Sequence, residues 1–305
     1  MRLAPARVGL LHYTPPMDQR LSDLLRLLEL ERLEVNLFRG QSRDIGSPQV
    51  FGGQVLGQAL TAASATIDGR VVHSLHAYFL RRGDFNAPIV YEVDRSRDGG
   101  SFSSRRVIAV QFGEQIFTMA ASFQTPEAGL DHQIEAPQVP PPEDLKDALY
   151  YGQKYLGASP ERVQMRFETA MPFEFRFVET PGFASAEKRP PLAHVWLRAI
   201  DHIDSDDENL HRCLLAYVSD FNLLGTAVLP HGIALFDERL RTASIDHGMW
   251  FHRPARVDEW LLYATDSPSA AGARGFTRGN IFTRDGRLVA STAQEGLIRV
   301  ITPKT

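Results

Sequence analysis

The pattern of apolar and polar positions predicts one order of elements in the first half of the chain. Leucines at positions 21, 24, 25, 27, 28 and 30 have helical spacing and predict an amphipathic helix, after a loose tail at residues 1–16. Residues 33–38 alternate as a strand does, and residues 51–65 form a helical segment rich in glycine and alanine. Alternating segments predict strands at 73–80, 89–94, 102–111 and 115–124. This half therefore predicts a central helix followed by an antiparallel meander.

A proline-rich segment separates this half from the next. Residues 125–159 include PQVPPP and have little periodicity, which is typical of a linker, with one short helix at 143–156. Beyond it, alternation and helical spacing predict strands at 173–178 and 195–199, a helix at 210–218, and strands at 244–251, 260–266, 273–283 and 288–300. The second half thus also places a helix before a meander.

Weak similarity between the halves indicates a tandem repeat. Residues 53–60 align with residues 221–228 at an offset of 168. Downstream, strand positions align at an offset of 172, for example Tyr91 with Tyr263. Self-similarity over a long period predicts two copies of one fold.

Length and composition bound the class of protein. A chain of 305 residues suffices for two domains, which we place at residues 17–125 and 161–305, joined by a linker at 126–160. The net charge of -4 provides no basic surface for nucleic acid. The single cysteine, Cys213, excludes an internal disulfide, and its apolar neighbours predict a buried side chain. No apolar run is long enough for a membrane span, and residues 1–16 lack the order of a signal peptide, so we expect a cytoplasmic protein.

Candidate chemistry lies around Asp220, in the apolar stretch LLAYVSDFNLLGTAV. If residues 223–228 form a buried helix, Asp220 lies at its amino-terminal end, where the helix dipole favours a carboxylate. Two interpretations are open. Asp220 is a catalytic carboxylate, or Ser219 or Asp220 serves only as a helix cap. Gly52 lies opposite Asp220 in the repeat alignment, and Gly52 and Gly53 begin a helix whose first N–H groups can bind substrate.

Common catalytic motifs are missing from the sequence. It contains no Gly-x-Ser-x-Gly elbow, no phosphate-binding loop of the Gly-x-x-x-x-Gly-Lys type and no dinucleotide fingerprint. His73 and His76 would point to opposite faces of a strand, which favours a structural role over a metal site. We expect neither a metal nor a cofactor.

Ten short segments, in order along the chain, resemble the acyl-CoA thioesterase II family, the double-hotdog thioesterases. They are LFRGQS (37–42), VFGGQVLGQAL (50–60), HSLHAYFLRRGD (73–84), RDGGSFSSRRV (97–107), ASFQ (121–124), AYVSDFNLL (216–224), SIDHGMWFHRP (244–254), EWLLY (259–263), ARGFTRG (273–279) and ASTAQEG (290–296). The resemblance covers nearly everything from residue 21 onward. It implies an α+β fold, a tandem double hotdog in which each repeat is a curved antiparallel sheet wrapped around a central helix.

The resemblance also implies an activity. The family hydrolyses fatty acyl-CoA to free fatty acid and CoA without a metal or a covalent acyl-enzyme, using a water held by an Asp, a Thr or Ser, and a Gln. The matching positions are Asp220, Ser244 and Gln294, with serine where many members have threonine. The carboxylate can take the proton of the water, and the amide can accept from the water and donate to the carboxylate. Because hotdog sheets tend to stack, the resemblance further implies a homo-oligomer.

The phosphates of CoA require cationic partners. The candidates are Arg97, Arg105, Arg106, Arg274 and Arg278, which could equally be solvated arginines on strands and loops. Two other functions stay open. A hotdog enoyl-CoA hydratase would need an Asp–His pair, such as Asp220 with His231, and a catalytically silent protein would only bind acyl-CoA.

Overall fold

A computed structural model of the chain describes residues 17–155, residue 165 and residues 171–301. The predicted tail at 1–16 and the predicted end of the linker at 156–160 lie outside the described residues. None of the helices within these ranges is long and apolar enough to cross a membrane.

Helix α1, Gln19–Leu28, begins where its sequence pattern predicts. The side chain of Asp18 accepts a hydrogen bond from the backbone N–H of Arg20 and so caps the first turn. Four leucines on one face are buried, and the helix packs against α2, Gly52–Ser64. Gln58 of α2 ties the two together by donating from its amide to the carbonyl of Leu27 at 2.6 Å.

The first half contributes six strands to the sheet. They are β1 (Glu31–Glu34), β2 (Leu37–Gly40), β3 (Val71–Phe79), β4 (Ile89–Asp98), β5 (Phe102–Gln111) and β6 (Glu114–Gln124). The single strand predicted at 33–38 was wrong, because residues 35–36 form the turn of a β1–β2 hairpin. The predicted meander is confirmed.

The linker and the second half contain the remaining helices and strands of the described residues. They are β7 (Lys146–Asp147), α3 (Ala148–Tyr155), β8 (Phe173–Phe177), β9 (Leu192–Ala199), α4 (Glu208–Ser219), α5 (Gly225–Val228), β10 (Leu240–Ser244), β11 (Asp246–Phe251), β12 (Leu261–Ala271), β13 (Arg274–Thr283) and β14 (Leu288–Val300), with short 3₁₀ turns at Pro142–Asp144 and Leu229–His231. The short helix predicted in the linker is present as α3.

The central helix of the second half is α4, and this corrects the interpretation of the Asp220 stretch. Asp207 caps the start of α4 through a hydrogen bond from the N–H of Asn209, and Asp220 is the C-cap residue. Residues 223–228 contribute only the single turn α5. Asp220 is therefore not the amino-terminal cap of a buried helix, and the dipole of its own helix presents its negative end there.

The repeat is real, but one of its two alignments was wrong. Strands β4, β5 and β6 correspond to β12, β13 and β14 at the offset of 172 residues. The offset of 168 instead pairs the interior of α2 with a turn and α5, whereas the structural counterpart of α2 is α4. Small apolar residues recur in both segments for packing reasons, which explains the misleading match.

Both halves share one continuous sheet. Among the described residues the sheet has fourteen strands, and β3 of the first half pairs antiparallel with β11 of the second. Helices α2 and α4 pack against each other. They run in opposite directions, because Gly57 lies beside Cys213, and Gly53, nearer the start of α2, lies beside Tyr217, nearer the end of α4. The expected tandem hotdog architecture is confirmed.

Part of the predicted linker lies on the outer face of the sheet, opposite the helices. Neighbouring residues of β9 point to opposite faces, so that Leu197 joins the main core while Trp196 joins a second cluster with Val139 and Leu145. The indole N–H of Trp196 donates to the carbonyl of Pro140 at 3.0 Å. The segment after the first meander therefore covers the outer face of the second half.

Candidate active site

The two residues that flank Asp220 in the sequence are both fixed by contacts with other parts of the chain. The hydroxyl of Tyr263 donates to the carbonyl of Ser219 at 3.1 Å, and the ring of Phe221 packs on that of Phe51 at 4.2 Å between centroids. Tyr263 is completely buried, and its burial, with the carboxylate of Asp220 as a further cause, raises the pKa of the phenol. The last turn of α4 is thus fixed, and the side chain of Asp220 lines a cavity.

The structure brings the three predicted catalytic residues together. Ser244 ends β10, and its hydroxyl donates to Asp220 Oδ1 at 3.4 Å. Gln294 points inward from β14, and its Nε2 donates to Ser244 Oγ at 2.7 Å. All three side chains line one cavity of about 150 Å³. We call Asp220, Ser244 and Gln294 the catalytic cluster.

Ser244 lies where a predicted continuous strand is interrupted. The sequence predicts one strand at 244–251, but the structure has β10 and β11 separated at Ile245. Both strands pair with β14, Ser244 opposite Gly296 and Gly248 opposite Ala293. The interruption leaves the Ser244 side chain beside Gln294 and Asp220.

The positive end of a helix does reach Asp220, but it belongs to the other half of the chain. A Cβ added at Gly52 would lie 2.7 Å from Asp220 Oδ2. Gly52 and Gly53 are the first residues of α2, so their N–H groups have no acceptor in a preceding helical turn. A Cβ at Gly53 would overlap the carbonyl oxygen of Tyr217. Glycine at both positions allows the start of α2 to approach the end of α4 closely.

One buried histidine, His247, contacts the catalytic cluster although it is not among the site residues predicted from the sequence. His247 Nδ1 lies 2.7 Å from Gln294 Oε1, and His247 Nε2 lies 3.0 Å from Ser219 Oγ. Burial lowers the pKa of His247 to about 4, so its imidazole is neutral near pH 7. The signal for this contact is two polar residues at inward positions of neighbouring strands, which becomes visible only once the β11–β14 pairing is known.

The contact with His247 changes the expected role of the Gln294 amide. Its oxygen, which was expected to accept a hydrogen bond from the reacting water, faces the imidazole. Its nitrogen donates to the hydroxyl of Ser244 and not directly to the carboxylate of Asp220. The amide is therefore linked to Asp220 through the hydroxyl of Ser244.

Most of the other residues that line the cavity are apolar. Aromatic rings from three parts of the chain line it, namely Phe175, Phe177, Phe183 and Phe236. The rings of Phe183 and Phe236 stack with their centroids 5.9 Å apart. The carboxylate of Asp220 thus lines the same cavity as these hydrophobic side chains. An acyl chain that ends in a reactive carbonyl requires such an arrangement.

The five arginines proposed to meet CoA do not line this cavity. Arg105 is 2% exposed, and its guanidinium donates to Thr66 Oγ1 and Asp98 Oδ1, each at 2.8 Å, so its role is structural. Arg106 lies at an exposed position of the outer face. Arg274 and Arg278 each pair with a neighbouring carboxylate. Arg97 is exposed near the β4–β5 turn.

Two other candidate groups are also placed by the structure. Cys213 is buried as predicted, and burial raises the pKa of its thiol to about 12, so it does not act as a thiolate nucleophile. His231 lies in the 3₁₀ turn after α5 and does not line the cavity of the catalytic cluster. The Asp220–His231 pair that a hydratase would need is not formed.

Fold and site together define a class of protein, a tandem hotdog with an acidic, a hydroxyl and an amide side chain at one cavity. The fold agrees with a solved hot dog fold protein from Alicyclobacillus acidocaldarius, which covers 92% of this chain with a TM-score of 0.72 at 18% identity. Residues 39–124 match the family described as Acyl-CoA thioesterase N-terminal domain, and residues 164–297 match Acyl-CoA thioesterase.

Individual relatives match over almost the whole chain. Acyl-CoA thioesterase 2 of Haemophilus influenzae is 42% identical and aligns over 93% of this chain and 99% of its own. Acyl-coenzyme A thioesterase 8 of Homo sapiens is 41% identical over 94% of this chain and 92% of its own. The crystal structure of the acyl-CoA thioesterase II TesB2 from Mycobacterium marinum covers 92% of this chain and 100% of its own, with 44% identity and a TM-score of 0.75. The chain belongs to the acyl-CoA thioesterase family.

Proposed function

We propose that this protein hydrolyses fatty acyl-CoA thioesters to free fatty acid and CoA, with a water activated by the catalytic cluster. The observation that carries the proposal is the convergence of Asp220, Ser244 and Gln294, which are far apart in sequence, on one cavity with an apolar continuation. The names of the relatives, which are acyl-CoA thioesterases, support the same substrate class.

Asp220 acts as the general base in this mechanism. A thioester carbonyl is reactive enough for water to attack it directly when the water is aligned and its proton is removed. The carboxylate takes that proton as the water oxygen bonds to the carbonyl carbon. The tetrahedral intermediate then collapses, the carbon–sulfur bond breaks, and the leaving thiolate of CoA receives the proton from Asp220.

Ser244 and Gln294 position the carboxylate and the water. The hydroxyl of Ser244 donates to Asp220 Oδ1 and accepts from Gln294 Nε2, so the three side chains form one continuous chain of hydrogen bonds. Gln294 Nε2 carries a second hydrogen, which can donate to the water.

The start of α2 supplies the site for the developing oxyanion. The N–H groups of Gly52 and Gly53 lie at the positive end of a helix of 13 residues, directly beside Asp220. Negative charge that forms on the thioester oxygen during attack is stabilised there. The first half of the chain thus contributes the oxyanion site, and the second half contributes the base.

The acyl chain occupies the aromatic part of the cavity. Phe175, Phe177, Phe183 and Phe236 line it without a charged group among them. Burying methylene groups there stabilises the complex by about 0.8 kcal/mol for each group removed from water. The CoA moiety stays outside the cavity, and none of the five arginines is assigned to it.

Three further expectations from the sequence stay predictions. The boundaries of the two repeats, at residues 17–125 and 161–305, are proposed with residues 126–160 as the linker. Association of chains through the outer face of the sheet is supported by the exposed aromatic side chains of Tyr78 and Trp250. A cytoplasmic location is the third.

A thiol-release assay tests the proposed reaction. The purified protein is incubated with a medium-chain acyl-CoA, and free CoA thiol is followed with a chromogenic disulfide. Release of thiol with equimolar fatty acid is the expected result. Addition of water to an enoyl-CoA without release of thiol would instead identify a hydratase, and binding without turnover would identify a silent acyl-CoA-binding protein.

Asp220→Asn tests the mechanism. The change keeps the shape of the side chain but removes the base, so turnover should fall roughly 10²–10⁴-fold. Stability should change little, because the carboxylate lies between the negative end of α4 and the positive end of α2, whose effects oppose each other. Activity is measured by thiol release, and folding by thermal unfolding.

Asp246→Asn is the matched control for this variant. Asp246 is also a partly buried carboxylate, but it lies opposite Tyr78 on the outer face of the sheet, and an asparagine oxygen can still accept from the N–H of Glu295. This control should retain wild-type turnover. Full thioesterase activity in a folded Asp220→Asn protein would refute the mechanism.

A further inference from the structure

A row of hydrogen bonds joins the catalytic cluster to two residues that the proposed mechanism does not use. Ser219 Oγ lies 3.0 Å from His247 Nε2, and His247 Nδ1 lies 2.7 Å from Gln294 Oε1. Gln294 then donates to Ser244, and Ser244 to Asp220. The row of hydrogen bonds thus starts at Ser219 and ends at Asp220, which is the next residue in the sequence. Ser219 and His247 are both 0% exposed.

The donors and acceptors of this row allow two directions. In one, Ser219 donates to His247 Nε2, His247 Nδ1–H donates to the Gln294 oxygen, and the Gln294 nitrogen donates to Ser244. Ser244 is then free to donate to Asp220. In the other direction every bond is reversed, so that the Gln294 amide is turned over and Ser244 spends its only hydrogen on the Gln294 oxygen.

The carboxylate of Asp220 selects between the two directions. An ionised carboxylate only accepts hydrogen bonds, and a reversed row would present the lone pairs of Ser244 to it. The first direction satisfies Asp220, Ser244 and Gln294 together. Its cost is that Ser219 gives up the alternative hydrogen bond to the carbonyl of Ala216, which lies 2.9 Å from its hydroxyl.

A neutral imidazole is what makes this row directional. Neutral histidine carries one N–H, so placing the hydrogen on Nδ1 obliges Nε2 to accept. Burial keeps His247 neutral near pH 7. Its position next to Gln294 is fixed by the pairing of β11 with β14, in which Gly248 lies opposite Ala293.

We propose that His247 is a positioning residue, which donates from Nδ1 to the Gln294 amide oxygen and so fixes the amide nitrogen toward Ser244 and the reacting water. Ser219 supports it by donating to Nε2 and selecting the Nδ1–H tautomer. The inference rests on the proposed function, because it gives Gln294 the role described there. His247 itself does not contact the substrate.

A double-mutant cycle tests the proposal. We compare the wild type, His247→Phe, Gln294→Ala and the double variant by kcat and KM for a medium-chain acyl-CoA. His247→Phe should lower kcat about tenfold, which corresponds to the loss of one hydrogen bond, with KM within twofold of the wild type. In the Gln294→Ala background the same change should have no further effect, because its target is already absent.

His247→Asn separates positioning from packing. The Nδ2 of asparagine can take the place of the imidazole Nδ1–H and donate to Gln294. Asparagine is smaller than phenylalanine, so it fills less of the space that the imidazole occupies in the wild type. If positioning is the role of His247, Asn should retain several times more kcat than Phe. If packing is its role, Phe should be the better variant, which would overturn the proposal.

The cycle also separates this inference from the proposed function. A Gln294→Ala protein with wild-type kcat would contradict both. A strong effect of Gln294→Ala, with an undiminished effect of His247→Phe in that background, would contradict only the role of His247. If thermal unfolding shows that His247→Phe does not fold, the cycle is run with Ser219→Ala, which should give a smaller loss of kcat that likewise vanishes in the Gln294→Ala background. Persistence of that loss would overturn the proposal.

Discussion

Acid should destabilise this protein through His247. Burial lowers the pKa of His247 to about 4 in the folded chain, from 6.5 for an unperturbed histidine. Between these values the unfolded chain binds the proton and the folded chain does not. The free energy of unfolding therefore falls as the pH falls from 6.5 toward 4, and the stabilisation is fully present above 6.5.

The size of the effect follows from the two pKa values. They differ by about 2.5, and each unit of pKa corresponds to 1.36 kcal/mol, so the complete loss is about 3 kcal/mol. Roughly 2 kcal/mol of this is lost between pH 7 and pH 5. A loss of that size is a large share of the 5–15 kcal/mol that typically stabilises a folded domain.

Urea denaturation at a series of pH values measures this loss. Protonation of carboxylates also destabilises the folded protein in acid. Asp258 is an example, because Arg256 lowers its pKa against the opposing effect of its burial. The comparison is therefore made with His247→Asn, which has no titrating group at this position but keeps all the others. The wild type should lose about 2 kcal/mol more than the variant between pH 7 and pH 5. Parallel curves for the two proteins would refute the reasoning.

Three substitutions test the contacts around the cavity. Gly53→Ala should destabilise the fold by about 3 kcal/mol in urea denaturation, because its Cβ would overlap the backbone carbonyl of Tyr217; unchanged stability would contradict the close approach of α2 and α4. Gly52→Ala places a Cβ 2.7 Å from Asp220 Oδ2 and should lower kcat by more than its effect on stability predicts, whereas an unchanged kcat would argue against the oxyanion site. Phe236→Ala removes a ring from the cavity and should shift the ratio of kcat/KM toward longer acyl chains; an unchanged ratio would place the acyl chain elsewhere.

Local sequence determined most of the strands. The segments predicted at 102–111 and 288–300 have the same bounds in the structure, and the offset of 172 residues relates the two meanders correctly. Alternation is a local property, because neighbouring residues of a strand face opposite sides whatever the strand pairs with. The resemblance to a family identified Asp220, Ser244 and Gln294 by the segments around them.

The tertiary structure alone decided where those residues lie relative to the helices. Asp220 lies at the end of α4 and not at the start of a helix, and the helix start beside it belongs to the other half of the chain. No local pattern distinguishes these cases, since apolar and small residues surround Asp220 on both sides.

The same reason applies to His247 and to the arginines. Whether His247 touches Gln294 depends on the register between β11 and β14, which joins residues 47 positions apart in sequence. Whether Arg278 or Arg105 can meet a ligand depends on the face of the sheet and on the neighbours that occupy their guanidinium groups. Periodicity is encoded within each segment, whereas contacts between segments follow only from the way in which the sheet closes around its two helices.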